Sequence, residues 1–139
     1  MAVETYSVEL ETTGFADIVD ITDKVQEAVS NGTIEAGVAC VFVSGSTGGV
    51  TTIEYESGLV RDLKEVFERV ASQDAKYHHN LKWGDGNGFS HVRAALLGPS
   101  LTVPVSRREL QLGTWQQIVF VDFDNRPRSR RLSVTVIGE

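Results

Sequence analysis

Leu101-Thr102-Val103-Pro104-Val105, Gln116-Gln117-Ile118-Val119-Phe120-Val121-Asp122-Phe123 and Arg131-Leu132-Ser133-Val134-Thr135-Val136-Ile137 read as strands, with turns at Ser106-Arg107-Arg108 and Asp124-Asn125-Arg126-Pro127. Val92 to Leu97 reads as a further strand ahead of them, closed by Gly98-Pro99. Upstream, Tyr6, Val8 and Leu10 alternate with polar residues, the period of a half-buried strand. Ile18, Ile21, Val25 and Val29 share one helical face, with Thr22 as N-cap and Gly32 as stop. Gly37 to Val43 reads as a buried strand, and Val50 to Tyr55 as its successor across the turn Ser44-Gly45-Ser46-Thr47-Gly48-Gly49. Leu59, Leu63, Val66, Phe67 and Val70 form a second helical stripe. Strand, helix, two strands, helix and four strands predict an α+β fold, a largely antiparallel β-sandwich with two helices, rather than alternating βαβ units.

The chain has 139 residues, 41% hydrophobic and 23% charged, with no repeat or linker, so one domain over 1–139 is expected. No apolar run approaches the ~18–20 residues of a membrane span, and no basic stretch followed by an apolar one marks a signal peptide. A net charge of −6 argues against nucleic acid and anionic membranes as partners. The lone Cys40 reads as a buried core thiol in a reducing compartment, which makes the cytoplasm the expected location.

Ser72 to Ser90 lacks apolar periodicity and reads as a long functional loop. All three histidines, His78, His79 and His91, lie in fourteen residues around Asp85, Asn87 and Ser90. Imidazole and carboxylate suit a divalent metal, and the same groups suit metal-free acid–base work. Gly45 to Gly49, with Ser46 and Thr47, could present backbone N–H groups to a phosphate, but no lysine follows as in a P-loop. Arg93, two residues beyond His91, would share its face on a strand. Arg126, Arg128, Arg130 and Arg131 read first as a solubilising turn, and Trp115 as core or subunit interface.

Asp85-Gly86-Asn87-Gly88-Phe89-Ser90-His91, Gly98-Pro99-Ser100-Leu101-Thr102-Val103-Pro104 and Leu112-Gly113-Thr114-Trp115-Gln116 together resemble the YjbQ-like family, as does the segment from Phe42-Val43 to Glu54. The resemblance is nearest to the archaeal-type branch, which carries His78-His79 and Gly45-Ser46-Thr47. It implies an α+β sandwich, a homotrimer built on sheet contacts, a cytoplasmic location and a polar His/Asp site, often near an anion or metal. It also implies a weak thiamine phosphate synthase activity, joining a pyrimidine diphosphate to a thiazole phosphate with release of pyrophosphate. Two departures stand out: Gly45-Ser46 replaces the His-Thr pair of many bacterial members, and Arg108 stands where the turn before Leu110 usually has glycine.

The expected function is therefore an enzyme acting on a small phosphorylated metabolite. Its alternatives are a metal-dependent hydrolase and a non-enzymatic phosphometabolite-binding protein. His79, Asp85, His91 and Glu54 are the candidate catalytic residues, with Asp85 or Glu54 as base in the hydrolase. Ser46, Thr47, Asn87, Ser90 and Arg93 are the candidates for substrate contacts. His79, His91 and Asp85 would hold a zinc or magnesium ion. Vicinal residues on a strand face opposite ways, so one of His78 and His79 is expected to point inward, and His79 is preferred. His79, Asp85 and His91 are expected to converge, with Glu54 within reach.

Overall fold

The computed structural model describes residues 1–139. The elements run β1 (Ala2–Thr12), β2 (Asp17–Asp20), α1 (Thr22–Asn31), β3 (Ala36–Val43), β4 (Gly48–Ile53), α2 (Ser57–Val70), α3 (His78–Trp83), α4 (Gly88–Leu97), β5 (Ser100–Ser106), β6 (Glu109–Leu110), β7 (Gln117–Asp122) and β8 (Arg128–Gly138). A five-stranded sheet has the order β1-β8-β3-β5-β6, and a three-stranded sheet the order β2-β7-β4. Every pairing is antiparallel.

Strand alternation builds a three-layer stack. Val8, Leu10, Ala39, Val41, Val43, Leu132, Val134 and Val136 turn inward from the large sheet against Val50, Ile118 and Phe120 of the small one, and Val25 and Val29 of α1 join this core. The opposite face of the small sheet, with Ile18, Val119 and Val121, packs on Phe67 of α2 and Ala94 of α4. β7 is thus buried on both faces, which is why its apolar run is continuous rather than alternating.

Several readings of the sequence change. The fold has four helices, not two. Val92 to Leu97 belongs to helix α4, which begins at Gly88. Gly88, Phe89, Ser90, Arg93 and Ala94 are its buried positions, a helical face whose first turn lies within the segment that reads as a loop through Ser90. The segment 72–90 contains the short helix α3, ended by Gly84 in the left-handed conformation (φ 70°). Ile18 pairs with Val121 in β2, and Thr22 is the first helical residue, its hydroxyl receiving the Ile118 N–H at 2.8 Å rather than capping α1. Cys40 is only half-buried, because Ala39 and Val41 take the inward positions of β3 and leave it on the outer face. Trp115 is 72% exposed, so it is not core. The β5–β6 turn keeps a glycine-like shape without glycine: Arg107 and Arg108 both have positive φ (55° and 59°), and Arg108 is anchored by a 2.7 Å ion pair to Glu35.

Candidate functional site

The site is assembled by a clasp between α3 and α4. Asn80 Oδ1 accepts the Gly88 N–H at 2.9 Å. A Cβ at position 88 would lie 2.6 Å from Tyr77 Cβ, so glycine permits the approach. The clasp lays the His79 ring against that of His91, with centroids 4.3 Å apart and planes tilted by 37°. His79 is half-buried and His78 exposed, so His79 is the inward member of the pair. The reason is helical position, since both residues lie on α3 and not on a strand.

Asp85 Oδ1 stands 3.8 Å from His79 Nδ1. With its amide turned to donate, Asn87 reaches both Asp85 carboxylate oxygens, at 2.9 and 3.3 Å. Asn125 Nδ2 donates to the Asp85 backbone oxygen at 2.9 Å, tying this loop to the turn after β7. His91 opens onto a shallow cleft with Gly45, Ser46, Gly48, Ala95 and Pro99. The cleft holds about 210 Å³, less than the ~300–1,000 Å³ of a typical whole-ligand pocket. That size suits one end of a metabolite. Burial holds the His91 pKa below the usual histidine value, and neighbouring His79 pushes it the same way, while Asp124 and Asp85 oppose. His91 is therefore predominantly neutral at pH 7 and able to accept a proton.

His79 Nδ1 is the one buried side-chain nitrogen or oxygen without a hydrogen-bond partner. Shortening its 3.8 Å separation from Asp85 by about 1 Å would make a hydrogen bond. The same two atoms suit bonds of about 2 Å to a metal. No three His, Cys, Asp or Glu side chains form a ready cradle, so the fit to a metal is partial: two protein donors, with the other positions left to ligand or water.

Not every expected site residue lies here. Glu54 is exposed, just past the far end of β4, six residues from Gly48 and so about 20 Å along the strand. It is out of reach because β4 leads away from the cleft. Arg93 turns the other way from His91, as two residues on a helix must. It is buried, with Nε donating to the Ala71 carbonyl at 3.0 Å and Nη2 to Glu68 at 2.8 Å. Ser90 is fully buried and donates to the Asn87 carbonyl at 2.6 Å, so it fixes the start of α4. Thr47 is buried and donates to Asp124 at 3.2 Å. Ser46 is exposed at the cleft, and Asn87 positions Asp85.

Beneath the cleft lies a buried ionic network that the sequence reading did not assign. Arg130 donates from Nε and Nη2 to the two Asp122 oxygens, at 2.7 and 2.9 Å, and from Nη2 to Thr47 Oγ1 at 2.7 Å. Thr12 donates to Asp122 at 2.6 Å, and Arg128 to Asp124 at 3.0 Å. Burial raises the Asp122 pKa, but hydrogen bonds from Arg130, Thr12 and the Asp124 N–H outweigh it and hold the carboxyl below its usual value. The legible signal was Asp122 inside the apolar run of β7, since a buried charge requires a partner.

The model of the UPF0047 protein YjbQ-like family matches residues 6–139. A UPF0047 protein of Methanothermobacter thermautotrophicus is 40% identical, the match covering 100% of this chain and 95% of that protein. One from Mycobacterium tuberculosis is 42% identical, covering 84% of this chain and 86% of that one. Among solved structures, a YbjQ-like protein of unknown function from Sulfolobus solfataricus aligns with TM-score 0.89 at 30% identity, covering 99% of this chain and 100% of that one. A hypothetical protein from Aeropyrum pernix aligns with TM-score 0.91 at 32% identity, covering 98% and 99%.

Proposed function

The chain belongs to the UPF0047 YjbQ-like family, and we propose that it is an enzyme acting on a small phosphorylated metabolite, with thiamine phosphate synthesis as the reaction to assay. The observation that carries this reading is the His79 ring packed on that of His91, which lines a cleft with Gly45, Ser46 and Gly48. An imidazole can hand a proton to a departing phosphate or pyrophosphate, which eases its departure. Asp85, held by Asn87, stands 3.8 Å from His79 Nδ1 and would orient the ring by closing about 1 Å. In the synthase reaction the thiazole nitrogen forms a bond to the pyrimidine methylene, the carbon–oxygen bond to the diphosphate breaks, and pyrophosphate departs with the electron pair and takes up a proton. The test is pyrophosphate release from a pyrimidine diphosphate and a thiazole phosphate. Formation of thiamine phosphate supports the synthase; pyrophosphate formed without the coupled product points to hydrolysis. Hydrolysis with a metal is the second reading, supported by the unpartnered His79 Nδ1 beside Asp85. It requires stoichiometric zinc or magnesium binding that His79→Ala abolishes.

The assembly we favour is a homotrimer in a reducing, cytoplasmic compartment. Its support is the outer face of the five-stranded sheet. Val3, Ile137, Val38 and Pro104 form one cross-strand row. Thr5, Thr135, Cys40 and Thr102 form the next, and Ser7, Ser133, Phe42 and Ser100 the third. No charge interrupts these rows, although Val3 is 64% and Phe42 42% exposed. An uncharged, partly apolar sheet face is suited to burial by a second copy. Light scattering is expected to give three times the 15.2 kDa chain mass, and Val38→Lys combined with Phe42→Glu to give the monomer. A wild-type monomer would contradict this assembly.

A further inference from the structure

Arg130 is a buried guanidinium with one unused end. Nε and Nη2 are engaged by Asp122 and Thr47, while Nη1 makes no hydrogen bond. The side chain is 8% exposed. Nη1 is not sealed in, because the one buried side-chain nitrogen or oxygen without a partner is His79 Nδ1. Nη1 faces Gly45. A Cβ built on Gly45 would meet a single atom within 4 Å, Arg130 Nη1 at 3.4 Å. The volume beside Gly45 that a side chain would fill is therefore open and bounded by a charged N–H donor. Gly45 and Ser46 also line the cleft that contains His91.

We infer that this gap is an oxyanion subsite, in which Arg130 Nη1 donates to one phosphoryl oxygen of the ligand whose remainder lies toward His91. The inference rests on the phosphorylated-metabolite reading and gives that ligand a definite anchor. A guanidinium is suited to the task because it keeps its charge and its planar fork while two of its nitrogens are held elsewhere. Asp122 fixes the plane, so Nη1 is aimed before the ligand arrives and little side-chain freedom is lost on binding. The two carboxylates Asp122 and Asp124 are matched by Arg130 and Arg128, so the network presents no excess negative charge to the ligand. The subsite acts as a directed, charge-assisted donor rather than a basic patch. Glycine at position 45 leaves the donor uncovered, and this chain carries glycine there.

The test is calorimetric titration of the full-length protein with inorganic phosphate at low ionic strength, comparing wild type, Gly45→Ala and Gly45→Asp. The Gly45 φ lies outside the left-handed region, so alanine adds no backbone strain, and its Cβ would make ordinary contact with Nη1. Phosphate should bind the wild type and shift the Arg130 Nε–H resonance. Gly45→Ala should weaken binding by about tenfold or more, the equivalent of one charge-assisted hydrogen bond. Gly45→Asp should abolish binding and raise the melting temperature, because a tethered carboxylate then occupies Nη1. Phosphate binding unchanged by Gly45→Ala, or an unmoved Arg130 signal, would overturn the subsite while leaving the phosphorylated-ligand reading intact. A wild type that binds no phosphate would overturn both.

Discussion

Asp122→Ala is expected to destabilise the protein by about 3–5 kcal/mol, the effect of leaving one member of a buried ion pair unmatched. At fixed protein concentration that is a fall in melting temperature on the order of 10–20 °C. The variant leaves Arg130 charged and enclosed, with Thr47 as its hydrogen-bond partner and Asp124 only at 3.9 Å from Nη2. Replacing the pair together, Asp122→Leu with Arg130→Met, should recover most of the loss, because neither charge then remains to be desolvated. The pH dependence follows from the same pair. The folded-state pKa of Asp122 is depressed, so its contribution is fully present above the ordinary aspartate value of about 4 and is lost as pH falls below it. Asp122→Asn should flatten that acid limb of the stability curve. An Asp122→Ala variant within about 0.5 kcal/mol of wild type, the range of ordinary surface substitutions, would mean that the network does not join the two sheets energetically.

His91→Ala should lower pyrophosphate release by ~10²–10⁴-fold, the range for loss of a general acid or base. His78→Ala should leave the rate unchanged. The contrast lies in placement. His91 is held in the first turns of α4, whose start is clasped through Gly88 to Asn80, while His78 is exposed. A catalytic group must be fixed to within ~0.5 Å by its supports. Asp85→Asn should fall between the two, since the amide keeps the shape that Asn87 grips but removes the charge beside His79. Equal rates in all three folded variants would remove the histidine pair from the reaction.

The sandwich was legible because its strands alternate or run continuously apolar, and because turn residues separate them. Gly32 marked the end of α1 as read. The convergence of His79, Asp85 and His91 was legible from their crowding into one segment. The direction of Arg93 was not, because it depended on the period assigned to 92–97. As a strand it would share the His91 face; as a helix it turns to Glu68. In the sequence Arg130 is indistinguishable from its neighbours as surface charge. Strand alternation in β8 buries Arg130 between exposed Ser129 and exposed Arg131, a distinction that a count of arginines cannot make. Thr47 and Asp124 were likewise invisible as partners, since tertiary packing alone brings β4 and the turn after β7 together. Glu54 failed for a simpler reason: the rise of β4 carries it away from the turn that begins it.

Whether His79 and His91 face a phosphorylated ligand is read by titrating the protein with pyrophosphate while following the imidazole C2–H resonances by NMR. The chain has three histidines, so single His→Gln variants assign every signal. Saturable shifts are expected for His79 and His91, with His78 unmoved. Three unmoved signals, or a shift confined to His78, would contradict this expectation.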